Sequence, residues 1–190
     1  APSLRTSGNA SATLWPPPLS AERRDDHPER HQQSAARREP AFFAAHPAHP
    51  EHFNQSVLLE LAADVDREAL RAALGALLEH HDALRMRYEH ADGQWRQHNA
   101  AEQDAPSWQL ADLSTLDAAQ QRAEITRVTA GLHTRFDLGR GPLLATVLFE
   151  LGSGAAPVLF LAAHHLVVDG VSWRILLEDL ETAYQQTAAG

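Results

Sequence analysis

The 190 residues carry 16 basic side chains, all arginine, against 25 acidic ones, for a formal charge of −9, and include no cysteine. The acidic balance excludes a protein that works through a basic nucleic-acid-binding face, and the missing cysteine excludes disulfides, thiolate metal sites and a cysteine nucleophile. An apolar content of 44% is enough for the core of one domain or part of one, whereas no apolar run reaches the ~18 residues of a membrane span.

Composition changes near residue 50. Residues 1–50 hold six arginines and five acids, and residues 51–190 hold ten arginines and twenty acids. Pro16, Pro17, Pro18, Pro28 and Pro40 punctuate the first stretch and no apolar period lasts through it, so residues 1–40 read as a linker or disordered arm. No signal peptide is visible there, and the start at Ala1 suits a piece of a longer polypeptide. Residues 41–190 read as the folded unit. The short apolar run Asn54–Leu61 predicts a strand. Asp66 is a good N-cap, with Val65 and Leu70 at the spacing of a hydrophobic staple, and Leu70, Leu74, Leu77 and Leu78 line one helix face. Leu84–Tyr88 alternates apolar and basic side chains as a half-buried strand does, and Asp92-Gly93 turns the chain into Gln94–His98. A second helix runs from Asp117 to about His133, with Ile125, Val128 and Leu132 on one side, and Gly139, Gly141 and Pro142 follow it as breakers. Leu143–Leu151 and Pro157–His165, separated by Gly152-Ser153-Gly154, read as two buried strands. A last helix starts at Ser172 as N-cap and buries Trp173, Leu176, Leu177, Leu180 and Tyr184. The order predicts a mixed α/β fold.

One junction concentrates chemistry: His164-His165-Leu166-Val167-Val168-Asp169-Gly170, between the last strand and the last helix. Alternation along a strand points His164 and His165 to opposite faces, so one of them serves a given cleft. An imidazole ordinarily titrates near pH 6.5 and can take or give a proton at cellular pH. Asp169 leads into the helix, and Gly170 permits a sharp reversal. From the residues alone, two readings stand side by side, an acid–base site and a pair of partly buried histidines with a helix-leading aspartate. Elsewhere, His46, His49 and His52 recur every third residue, but prolines interrupt them and no acidic pattern supports a metal site. His80-His81 caps a helix end. Ser172 lacks the flanks of a nucleophile elbow, and Gly152-Ser153-Gly154 has no lysine after it to make a phosphate cradle.

HHLVVDG resembles the HHxxxDG motif of the condensation-domain superfamily of nonribosomal peptide synthetases, and the longer string HHLVVDGVSWRILLEDL resembles its epimerization branch. HFNQSVLLEL (52–61), HHDALRMRY (80–88) and FDLGRGPLL (136–144) agree in order and spacing. Of the family's opening block only Phe42-Phe43 matches, so residues 1–40 lie outside the resemblance. The resemblance implies a chloramphenicol acetyltransferase-like α/β fold, with residues 41–190 as the N-terminal lobe of a two-lobe unit. It implies epimerization at Cα of an aminoacyl or peptidyl thioester in secondary metabolism in the cytoplasm. The substrate would be delivered on the phosphopantetheine arm of a peptidyl carrier protein, with no cofactor or metal bound directly and no nucleic acid or membrane as partner. His165 would be the catalytic acid–base group. His164 would support it from the core, Gly170 would give the turn, and Asp169 would pair with Arg85. A C-terminal lobe would supply the opposite wall and a partner glutamate, neighbouring synthetase domains would flank it, and the 190-residue chain alone would be inactive. Two alternatives stay open: a condensation lobe in which His165 assists amine attack, and a catalytically silent lobe that docks a carrier protein.

Overall fold

The structure, a computed structural model, describes residues 42–43, 49–100, 107–152 and 154–189. The proposed arm 1–40, His46 and Ser153 lie outside the described residues. Strand β1 (Asn54–Glu60) is followed by helix α1 (Arg67–His80), whose N-cap Asp66 accepts hydrogen bonds from the backbone of Glu68 and Ala69. A 3-10 turn (Asp82–Arg85) leads into β2 (Met86–Ala91) and β3 (Gln94–Asn99). Then come β4 (Ser107–Asp112), α2 (Ala118–Leu132), β5 (Leu144–Glu150), β6 (Val158–His164) and α3 (Gly170–Ala189).

Four strands form a mixed sheet in the order β1-β6-β5-β4, with β4 and β5 parallel and the other pairs antiparallel. The central strands β5 and β6 are buried along almost their whole length, as strands covered on both faces must be. On one side α1 and α3 pack together. Tyr184 Oη accepts the N–H of Asp66 at 2.9 Å, and Thr187 donates to the carbonyl of Ala69 at 3.0 Å. Helix α2 is the crossover that a parallel β4–β5 pair requires. It starts with a full capping box between Asp117 and Gln120, and Gln121 ties it to the sheet by donating to the carbonyls of Leu113 and Leu151. No helix among the described residues is long and apolar enough to cross a membrane.

Two local expectations need correction, and one strand is added. Strand β4 has no counterpart among the predicted elements; its Leu110 faces outward, 51% exposed, and it is a strand because it pairs with β5 at the sheet edge. Leu84 and Arg85 belong to the 3-10 turn, the strand starts at Met86, and Arg85 and Arg87 are both buried rather than on a wet face. The last helix starts at Gly170 instead of Ser172.

Buried Arg87 explains a glycine in the FDLGRGPLL block. Gly141 has φ +64°, and a Cβ there would sit 2.3 Å from Cζ of Arg87, whose Nη1 donates to the Met86 carbonyl at 2.9 Å. Gly141→Ala therefore adds left-handed strain to a collision and should cost about 2 kcal/mol or more, to be checked by urea denaturation.

Candidate active site

The two histidines come from the last residue of β6 and the first residue of the turn after it. The turn closes through Val167 N–H and Val168 N–H to the His164 carbonyl, at 3.0 and 3.2 Å. His165 extends the β1–β6 ladder, its N–H donating to the Phe53 carbonyl at 2.7 Å.

His164 has no exposure. Its Nδ1 accepts the N–H of Leu166 at 3.2 Å, which leaves the proton on Nε2 to go to the Pro50 carbonyl at 2.7 Å. The rings of Phe42 and Phe136 meet it edge-on. Burial pushes this imidazole down to about 4, helped by the neighbouring His165 and opposed by the Pro50 hydrogen bond and by Glu51. A ring kept neutral by burial and engaged at both nitrogens by backbone partners is a structural tie between the His-motif turn and the 3-10 turn Pro50–His52.

His165 is exposed. Its Nδ1 lies 2.9 Å from the Val168 carbonyl and 3.1 Å from the side-chain nitrogen of Gln55. Among the described residues its Nε2 takes no hydrogen bond, so that nitrogen is the one presented for chemistry. Gln55 is a residue that sequence reasoning missed. Its place beside His165 follows from the pairing of β1 with β6, which the local sequence of neither strand reveals.

Asp169 lies at the start of α3. Its Oδ1 accepts from the N–H of Val171 (3.1 Å), the N–H of Ser172 (2.9 Å) and the Ser172 hydroxyl (2.8 Å). It thus takes the capping role expected of Ser172, which lies one turn inside. Tyr88, from the HHDALRMRY block, reaches the same turn with its hydroxyl 3.4 Å from the Leu166 carbonyl. The expected Asp169–Arg85 pair is not formed. Arg85 closes the 3-10 turn that follows α1, within reach of the last carbonyls of that helix, which have no intrahelical donors. Its Nη1 donates to the carbonyls of Leu78 and Glu79 at 2.6 and 2.7 Å, and its Nη2 pairs with Asp82. A double-mutant cycle of Asp169→Ala and Arg85→Ala should accordingly be additive within about 0.5 kcal/mol. A coupling several times larger would restore the pair.

Gly170 corrects a second expectation. The reversal is made by His165–Val167, and Gly170 is the first helical residue, with no positive φ and nothing within 4 Å of a Cβ built on it. Trp173 is buried, yet its indole N–H also reaches Oε1 of Gln55 at 3.0 Å. Away from the junction, His81 caps α1 and meets Asp179 at 2.8 Å, while Glu51 lies 3.2 Å from His49 and 3.8 Å from His52.

The condensation-domain family profile matches residues 35–190. One of the linear gramicidin synthase polypeptides of Brevibacillus parabrevis is 46% identical over 149 residues, which are 78% of this chain and 3% of that protein. Tyrocidine synthase 1 of the same organism is 40% identical over 152 residues, which are 78% of this chain and 13% of that protein. The chain thus spans a small part of the length of these relatives. Among solved structures, the epimerization domain from the third module of tyrocidine synthetase B superposes with a TM-score of 0.73 at 37% identity, covering 80% of this chain and 34% of that one. The starter condensation domain of rhizomide synthetase superposes with a TM-score of 0.68 at 22% identity, covering 82% and 39%, a likeness of fold.

Proposed function

This chain belongs to the condensation-domain family of nonribosomal peptide synthetases, and we propose that within it the chain serves epimerization, inverting Cα of an aminoacyl or peptidyl thioester. The observation that carries the proposal is the state of His165: exposed, tied at Nδ1 to the Val168 carbonyl, and with Nε2 open among the described residues. The support for epimerization over amide formation is the HHLVVDGVSWRILLEDL string together with the 37% identity to a solved epimerization domain.

The chemistry is that of a carbon acid. The Cα–H of a thioester is acidified because the carbonyl can hold the resulting charge as an enolate. Nε2 of His165 takes the proton while the C–H electron pair moves into the enolate, and a second group returns a proton to the opposite face. A positioned base of this kind contributes about 10²–10⁴-fold. In this reading His164 and Asp169 hold the turn and the helix start that aim the ring, Gly170 is the first residue of that helix, and Arg85 holds the end of α1. Residues 41–190 form one lobe. A second lobe supplies the opposite wall and the returning proton, so the chain by itself is silent. The substrate arrives in the cytoplasm on the phosphopantetheine arm of a peptidyl carrier protein, and neighbouring synthetase domains pass it on. No metal or separately bound cofactor takes part.

The test is solvent deuterium incorporation at Cα of a carrier-bound thioester, with the D:L ratio of the product, measured on the domain extended through its second lobe. Exchange with racemisation is the expected result. Amide product without exchange would move the chain to the condensation branch, and thioester binding with neither would make it a docking lobe.

A further inference from the structure

We propose that Gln55 is a positioning residue whose side-chain amide, oriented by Trp173, selects which ring nitrogen of His165 carries the proton. The proposal deepens the acid–base reading of His165 and rests on it. In the sheet register Gln55 stands opposite Ala163, and His165 continues the same ladder by its bond to Phe53. Gln55 is therefore the diagonal neighbour of His165 on one face of the β1–β6 pair, within reach of a long side chain. The small Ala163 directly opposite leaves room for the amide to lean toward the ring.

Amide orientation follows from chemistry. An indole N–H only donates, so the Gln55 atom 3.0 Å from Trp173 Nε1 is the oxygen. The amide nitrogen then faces His165 Nδ1 at 3.1 Å as a donor. The Val168 carbonyl, 2.9 Å from the same nitrogen, only accepts. One nitrogen cannot satisfy both. With its proton on Nδ1 the ring bonds Val168 and offers a lone pair at Nε2, the basic tautomer. With its proton on Nε2 the ring accepts from Gln55 and presents a donor. The imidazolium carries both protons and sets its Nδ1–H against the Gln55 amide. Gln55 thus opposes the charged ring and favours return of the captured proton, while Val168 keeps the basic tautomer accessible. Of the titratable groups around the site, His164 is buried and held by two backbone partners, Glu51 acts on that ring, and Asp169 Oδ1 is engaged by the start of α3.

The experiment is nitrogen-15 NMR of histidine-labelled full chain, with His165 assigned from the His165→Gln spectrum. Gln55→Leu should move His165 toward the Nδ1–H tautomer and raise its protonation midpoint by about half to one pH unit, the equivalent of one net hydrogen bond. Gln55→Glu, nearly isosteric and therefore usable if the leucine variant fails to fold, places an acceptor at Nδ1 and should raise the midpoint further. Unchanged tautomer and midpoint in either folded variant would overturn the proposal. On the two-lobe domain the acid limb of Cα exchange should shift upward with the same variants. An NMR response without any dependence of exchange on the midpoint would leave the tautomer assignment standing and refute the catalytic reading of His165 instead.

Discussion

His165→Ala in the two-lobe domain should abolish most Cα exchange, a loss of about 10²–10⁴-fold, while leaving the fold close to wild type. The side chain is exposed, and its contacts at Nδ1 are with Val168 and Gln55. Its removal therefore costs no more than one net hydrogen bond, about 1 kcal/mol. The measurement pairs single-turnover deuterium incorporation with urea denaturation of the same variant. The combination matters, because a large fall in stability accompanied by a modest fall in exchange would mark His165 as structural. Exchange that continues undiminished in a folded His165→Ala would remove it as the essential base. Imidazole added to the alanine variant should restore part of the lost rate, since the missing element is a proton carrier at an open position.

The residues around this histidine divide into those whose role is written locally and those whose role is not. Asn54–Leu61, the Asp66 cap, the Asp92-Gly93 turn and the two buried strands are legible because each depends on a few adjacent side chains, and the structure has β1, α1, the β2–β3 hairpin, β5 and β6 there. Strand β4 is illegible for the opposite reason, since its pairing is supplied by β5 and its one leucine faces outward. At the start of α3 both Asp169 and Ser172 are capping residue types, and the turn closed by the His164 carbonyl decides in favour of the earlier one. Arg85 is taken by carbonyls six and seven residues before it rather than by a distant carboxylate. The amide of Gln55 gains meaning only from a strand pairing across 110 residues of sequence and from an indole on another element. What the histidine motif announces is the reacting group and the Val168 carbonyl beside it; what competes with that carbonyl for Nδ1 comes from the sheet register.

His164 should make the protein acid-sensitive in a window set by its own titration. The ring is buried with Nδ1 accepting from Leu166 and Nε2 donating to Pro50. A second proton would have to go on Nδ1 and would break the Leu166 bond inside a dry site. Burial thus lowers its pKa to about 4 in the folded chain, against about 6.5 in the unfolded one. Because the folded value is depressed, the unfolded state binds the extra proton first as pH falls. The stabilisation is complete above about pH 6.5 and is lost progressively down to about pH 4, by on the order of 3 kcal/mol in total. His133, also lowered by burial, acts in the same direction, and the lowered carboxyls of Glu51, Asp112 and Glu124 add their own losses at more acid pH. The test is therefore a difference between proteins rather than one curve. Urea denaturation of wild type and His164→Leu at pH 7.5, 6 and 5 should show the variant less stable at pH 7.5, by about 1–3 kcal/mol for the stranded Leu166 N–H and Pro50 carbonyl. The gap should narrow steadily toward pH 5, since leucine has no proton to bind in the unfolded chain. A gap that stays constant across that range would mean that His164 titrates alike in both states and is not the buried neutral tie described for it.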